Sequence, residues 1–449
     1  MRILKVALII VLGIAGRQVR AQNSSPKTSY PDYLQPDHAV NAVTMVMVHD
    51  VVSPPVAARY YAYCMLGAYD IVSVKNKKIP TLGTFVKTYP KNNNLTLFNT
   101  FFDYKIAAYY SILETAKLLL PSGFMLKDDQ DAFLQLLQKT GVDQLVITNS
   151  IKAAEAASAS VVAYSKSDYY SQLSALRRYT PIAGDGKWYP TPPAYMEAVE
   201  PNWRTIRTLV IDSAIQYKPT PLIPFSKDSS SAFYGQVKEV YDASKHLTPE
   251  QINQALFWDC NPFAVTTSGH MAIGYKKISP GGHWMHIAGL VAKQANLSFD
   301  QTVVLISLEG ITLMDAFISC WEEKFTSNRI RPETFINRYM DVKWQPILQT
   351  PPFPEYTSGH AVISNASAEL LTYLLGDNFA YTDNTEIPFG SSQRDFKSFR
   401  QAAAEASMSR FYGGIHYMES IEKGNKQGKQ VAQGILTKIK KAGIAPMHK

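Results

Sequence analysis

The sequence predicts an all-α protein built of packed helical bundles. Three observations lead there. Apolar residues recur at helical spacing along most of the 449 residues. No series of short alternating strands interrupts them. Two of the helical stretches also open on complete capping signals. The periodicity covers 38–51, 56–73, 100–119, 142–165, 230–246, 284–296, 299–324, 361–375, 396–411 and 417–441.

The chain begins "MRILKVALIIVLGIAGRQVRAQ", which reads as a secretory leader. Arg2 and Lys5 precede the apolar run Val6–Ala15, and Val19 and Ala21 suit a small-residue cleavage site. The leader is therefore taken as 1–21, the mature chain starts at Gln22, and the product is expected to be secreted or periplasmic. Four of the surplus cations (Arg2, Lys5, Arg17, Arg20) lie in this leader, so about +4 of the +8 net charge remains. That is too mild and too evenly spread to argue for a nucleic-acid partner. No later stretch is expected to span a bilayer. The composition, 46% apolar and 12% aromatic with 18% charged residues, is that of a well-packed core. Cys64, Cys260 and Cys320 lie far apart in apolar surroundings, so they are read as core residues and not as a disulfide framework.

Two irregular stretches, 183–203 and 218–231, break the helical pattern. A soft boundary follows them near residue 247, dividing an N-terminal helical region (22–247) from a C-terminal one (248–449). The second region opens on "TPEQ", where Thr248 is an N-cap, Pro249 the first helical residue and Gln251 the capping-box partner. Ser298 and Gln301 in "SFDQ" repeat the device. The basic tail "KGNKQGKQVAQGILTKIKK" reads as the solvated face of a last helix.

Three segments of the C-terminal region carry chemistry. In "WEEKFTSNRIRP", Lys324 and Arg331 are seven residues apart, and Pro332 disfavours helical geometry at Arg331. A helix is expected to end between them, which lets both cations reach one anion; basic residues at a helix C-terminus are equally explained by the dipole. In "PPFPEYTSGHAVIS", prolines give way to Thr357-Ser358-Gly359-His360 at the mouth of an apolar helix. Such a start offers free N–H groups, a hydroxyl, an open glycine backbone and a histidine able to move a proton. In "SRFYGGIHYMES", Arg410 ends one helix, Gly413-Gly414 turn the chain, and His416 opens the last helix. Together the segments suit a tetrahedral oxyanion. The same Ser-Gly-His string occurs at 268–270, without basic partners. His270 is therefore read as structural, as are His283 and His286 in "GGHWMH". No HExxH, paired-cysteine, calcium-loop or P-loop pattern is present.

In order and spacing these segments resemble the signature of the vanadium-dependent haloperoxidases and the related acid phosphatases. That signature is Lys, six residues, Arg-Pro; Pro-Ser-Gly-His; then Ser-Arg, five residues, His, three residues, Asp. Here it reads Lys324 to Arg331-Pro332, Thr357-Ser358-Gly359-His360, and Ser409-Arg410 to His416, over about the last 130 residues. Thr357 replaces the motif proline, and Ser420 stands where the motif has its aspartate. The adjacent Glu419 lies about 100° round the helix, on the wrong side for a simple exchange.

The resemblance implies a haloperoxidase-like helical fold with its active site in the C-terminal bundle. Vanadate would be the cofactor, its oxygens held by Lys324, Arg331, Ser358, Gly359 and Arg410, with His416 as the axial ligand and His360 as the acid–base residue. Trp321 and Phe353 resemble the aromatic lining of a halide pocket. The implied reaction is oxidation of halide, iodide foremost, by hydrogen peroxide to hypohalous acid. Two alternatives stay open: an exported acid phosphatase with His416 as nucleophile, and a helical binding protein that keeps an anion site without catalysis.

Overall fold

Burying one stripe of each amphipathic helix requires a partner helix, and one long apolar helix serves as the common partner here. A computed structural model describes residues 30–90 and 101–448. The leader assigned to residues 1–21 lies outside them. The described residues form thirteen α-helices and two short β-hairpins. The first five helices are α1 (Pro36–His49), α2 (Pro54–Lys75), α3 (Tyr104–Leu119), α4 (Leu126–Lys139) and α5 (Gln144–Ser165). Then follow α6 (Ala232–Ser244), α7 (Pro249–Phe257), the hairpin β1 (Val265–Ser268)–β2 (Met271–Gly274), α8 (Pro280–Gln294), α9 (Phe299–Ser327) and α10 (Pro332–Tyr339). The chain ends with α11 (Gly359–Leu375), the hairpin β3 (Tyr381–Asp383)–β4 (Arg394–Phe396), α12 (Phe399–Tyr412) and α13 (Met418–Ala442).

The axis of the molecule is α9. It packs on α2, which in turn packs on α3 and α5, and it also meets α8, α11 and α13. Side chains from both halves of the chain share one continuous core along it. By length and composition α9 could cross a membrane, contrary to the expectation that no such stretch follows the leader. Its apolar window is wholly buried in protein. Both capping boxes form as expected, at Thr248/Gln251 and Ser298/Gln301.

Three features were not foreseen. The helix α4 is mostly polar, burying only Leu126, Gln130, Phe133 and Leu137, so its apolar signal is sparse. The decoy Ser-Gly-His string does not open a helix. It forms the β1–β2 hairpin, with Gly269 at φ +59° and His270 exposed at the tip. β-branched Val265 and Thr266 precede that string, whereas a long apolar run follows Ser358-Gly359-His360, and that context decides between hairpin and helix. The third is the β3–β4 hairpin, pairing Tyr381 with Phe396 and Asp383 with Arg394.

Candidate active site

The residues selected for the anion site (Lys324, Arg331, Ser358, Gly359, Arg410 and His416) sit at or beside helix ends, whereas Trp321 lies inside α9 and Phe353 in the loop before α11. Lys324 lies in the last turn of α9, and Asn328, left-handed at φ 49°, stops the helix by donating to the Lys324 carbonyl (2.9 Å). Arg331 is the extended N-cap of α10, as Pro332 requires. Ser358 caps α11, but its hydroxyl makes no capping bond. Arg410 closes α12. The chain then turns through Gly413, where a Cβ would come within 2.5 Å of Leu348, and Gly414, at φ +77°. His416 lies in this turn, two residues before α13, and does not open the helix itself.

The irregular stretch 183–203 braces these ends. Ile330 donates to the Gly186 carbonyl (3.0 Å), Trp188 to Asn328 (2.8 Å) and Val199 to Pro352 (3.0 Å). The Trp321 indole donates to the Val199 carbonyl at 3.1 Å.

Lys324 is completely buried, and its ammonium donates to the carbonyls of Pro354 (3.1 Å), Glu355 (3.2 Å) and Thr357 (2.5 Å). It thus holds the loop leading into α11. Burial pulls its pKa down to about 7. The Arg331 guanidinium donates to the carbonyls of Phe353 (3.0 Å) and Ile415 (2.8 Å), and its Nη1 stands 3.0 Å from His416 Nε2. Arg410 donates to the carbonyls of Trp258 (2.9 Å) and Ala255 (3.2 Å) at the end of α7.

His416 has a carboxylate partner that the sequence did not disclose. Its Nδ1 lies 2.8 Å from Glu355 Oε1, which also accepts from the Tyr417 amide (3.1 Å). Ser420 Oγ reaches the same nitrogen only at 3.4 Å. Glu355 therefore occupies the place of the missing aspartate. The visible clue was an acidic residue in a proline-rich loop three positions before the Ser358 cap. Glu419 turns away, as expected, and pairs with the buried Arg329 (2.8 Å), a cation missed in the sequence that also flanks Glu355 at 3.7 Å. Burial first, then Arg331, Lys324, Arg410 and Arg329, push the His416 pKa well below its ordinary value. His416 is thus neutral, with Nδ1–H toward Glu355 and its Nε2 lone pair accepting from Arg331. Burial, Arg410 and His416 likewise hold His360 well below its ordinary value.

Between these groups lies a cavity of about 40 Å³. Gly359, His360, Arg410 and His416 line its polar end; Trp321, Phe353 and Phe263 are among its apolar walls. Lys324, Arg331 and Ser358 stand directly behind the polar end. Trp321 and Phe353 pack at 5.0 Å, with the Lys324 ammonium 5.0 Å from the Phe353 ring. Ser358 Oγ, Arg331 Nη2 and His360 Nε2 are buried without a hydrogen-bond partner. A Cβ at Gly359 would meet Trp321 and Lys324 only at 3.8 and 3.9 Å, so glycine leaves a cradle that a side chain would fill. Buried polar groups normally find partners, and these three atoms come from two segments, 321–332 and 351–364, that meet beside the cavity. With two buried arginines and the α11 N-terminus beside them, the donor set fits a tetrahedral oxyanion such as vanadate.

The remaining candidates lie elsewhere. His286 bonds Thr44 Oγ1 at 2.9 Å and is pushed down to about 4 by burial and the charge of His283. His283 is completely buried beside Asp383, at 2.8 Å. All three cysteines are free and buried.

Residues 304–442 match the family described as the VCPO second helical-bundle domain. The solved structure of a bacterial vanadium-dependent iodoperoxidase is 39% identical, with a TM-score of 0.83 over 91% of this chain and 96% of its own. A holo-type bacterial vanadium-dependent chloroperoxidase superposes with a TM-score of 0.63 at 14% identity, covering 94% of this chain and 97% of its own. Its apo-type counterpart gives 0.62 at 15%, over 87% and 95%. At that identity these two speak for the fold alone. No curated protein sequence matches the chain.

Proposed function

The chain belongs to the vanadium-dependent haloperoxidases, and on that premise we propose that it oxidises iodide with hydrogen peroxide, using vanadate as its cofactor. Lys324, Arg331, Ser358, Gly359 and Arg410 would hold the vanadate oxygens, and His416 Nε2 would hold the metal. Bound there, vanadate supplies the Lewis acidity that activates peroxide. The observation that carries the reading is the set of unpartnered buried atoms on Ser358, Arg331 and His360 around a neutral His416.

The chain's own groups divide the work. Glu355 keeps the Nδ1 proton of His416 in place and so leaves Nε2 as the ligand atom. Neutral His360, which lines the cavity and keeps a buried, unpartnered Nε2, would take a proton from incoming peroxide and return it to the departing oxygen. Trp321 and Phe353 face the same space with polarisable rings, which suit a large, weakly hydrated halide. The 39% identical iodoperoxidase supports iodide as the first substrate. All these residues fall in region 248–449, which we take as catalytic, with 22–247 as its helical support. The leader sequence supports a secreted or periplasmic location.

The test is to load the purified mature chain with vanadate, remove the excess, and follow triiodide formation with peroxide beside bromide and chloride oxidation. Iodide turnover that requires vanadate and exceeds that of the other halides is expected. Turnover independent of vanadate, or faster with chloride, overturns the reading. Phosphate-ester hydrolysis blocked by vanadate would instead make His416 a phosphoryl-accepting nucleophile. Silence in both assays would leave a non-catalytic anion-binding protein.

A further inference from the structure

Behind the Arg410 wall of the cavity, three separate elements bring ligand-type side chains to one buried point. His283 comes from α8, Cys260 from the segment between α7 and β1, and Glu386 from the β3–β4 hairpin. Cys260 Sγ lies 3.4 Å from His283 Nδ1, and Glu386 Oε1 lies 3.5 Å from the same nitrogen. All three ligand atoms fall within 4.8 Å of one another. The opposite ring nitrogen, Nε2, is 2.8 Å from Asp383 Oδ2. The other oxygen of Asp383 accepts from the Thr385 amide (3.0 Å) and hydroxyl (2.7 Å), so this carboxylate is fixed and fixes the ring.

As a hydrogen-bonded cluster this arrangement is poor. His283 Nδ1 carries at most one proton and cannot serve both neighbours: the sulfur at 3.4 Å is within hydrogen-bond range, but the carboxylate oxygen at 3.5 Å is too far for a good bond. Glu386 Oε1, 5% exposed as a residue, finds no hydrogen-bond partner at all. As a coordination shell it is better: two of the three ligand pairs, at 3.4 and 3.5 Å, have the right separation, and the third lies within 4.8 Å. With metal–sulfur near 2.3 Å and metal–nitrogen or –oxygen near 2.0–2.2 Å, tetrahedral geometry sets neighbouring ligand atoms roughly 3.4–3.6 Å apart. A carboxylate on the far nitrogen is the usual orienting partner of a metal-bound histidine.

The geometry points to a second metal site, for a divalent cation of the zinc class, formed by Cys260 Sγ, His283 Nδ1 and Glu386 Oε1 and oriented by Asp383. One thiolate, one imidazole and one carboxylate suit zinc or cobalt(II) better than magnesium or calcium. A fourth position is left for water. Cys260 also lines the active-site cavity, which provides the way in. Trp258 stacks on His283 at 4.7 Å while its carbonyl accepts from Arg410, so the metal would stiffen the wall that positions Arg410.

The experiment uses the full mature chain, stripped with chelator, given cobalt(II) and freed of excess. One equivalent is expected to remain, with a thiolate-to-cobalt charge-transfer absorption, and zinc should displace it. Cys260→Ala should lose that absorption. Glu386→Gln keeps the side-chain volume and is the second variant should Cys260→Ala not fold; it should weaken cobalt binding at least tenfold in protein of native circular dichroism. No metal retained by the wild type, absorption unchanged in Cys260→Ala, or affinity unchanged in Glu386→Gln would each overturn the assignment. Vanadate binding is read separately and does not enter the outcome.

Discussion

Two fully buried histidines in this molecule each share a carboxylate at 2.8 Å, His416 with Glu355 and His283 with Asp383, yet they reach opposite states. Burial pushes both down. Around His416 the next influences are Arg331, Lys324, Arg410 and Arg329, and its pKa falls well below the ordinary value. Around His283 they are Asp383, Glu386 and Cys260, and together they outweigh burial and lift it well above. The pair itself is the same; the surrounding field differs. A carboxylate orients an imidazole, but the next ring of charges decides whether the site accepts an anion or a cation. One corner is a cradle of cations whose donors suit an oxyanion. The other gathers thiol and carboxylates and suits a metal cation.

The contrast can be broken by mutation. The largest effect is expected from His416→Ala, which should abolish vanadate-dependent iodide oxidation in a folded protein; a rate within tenfold of wild type would remove His416 from the ligand position. Asp383→Asn should strike stability instead, by about 3–5 kcal/mol in denaturant unfolding, because it leaves the other half of a buried pair uncompensated. Little change there would mean that the field on His283 is weaker than its neighbours imply. Glu355→Gln keeps the shape but removes the charge that orients His416, and vanadate affinity measured by equilibrium dialysis should fall about 10–100-fold.

A subtler test follows from Lys324. With its pKa at about 7, it is charged below that pH and increasingly neutral above it. Oxyanion affinity should therefore fall as pH rises through 7, by at most about tenfold per pH unit for one proton. Dividing the wild-type curve by that of Lys324→Gln cancels the titration of vanadate itself, and a flat ratio would show that Lys324 keeps its charge. The smallest effect is expected from Ser420→Ala. A contact of 3.4 Å is a weak bond, so oxidation should change less than about fivefold, or 1 kcal/mol. An effect as large as that of Glu355→Gln would return the orienting role to the helix position.

Much of the site is visible in the chain because its signals are local. Pro332 dictates the end of a helix between Lys324 and Arg331, and the Gly413-Gly414 pair dictates a turn between Arg410 and His416. Ser358-Gly359 before an apolar run dictates a helix mouth. Periodicity located most of the helices for the same reason. Glu355 was invisible as a partner because it meets His416 from 61 residues away, across a loop that Lys324 holds by its carbonyls. His283 read as an ordinary core histidine because Asp383 lies 100 residues further on, in a hairpin too short to leave a strand pattern.

Spacing along the chain thus settled the helical class and which short segments could face an anion, since φ/ψ preferences, caps and periodicity act within a few residues. It could not settle which carboxylate serves which histidine, or that the irregular 183–203 stretch braces the site. Those outcomes depend on side chains meeting across the α9 core, where burial strengthens each charge and distant neighbours fix its sign.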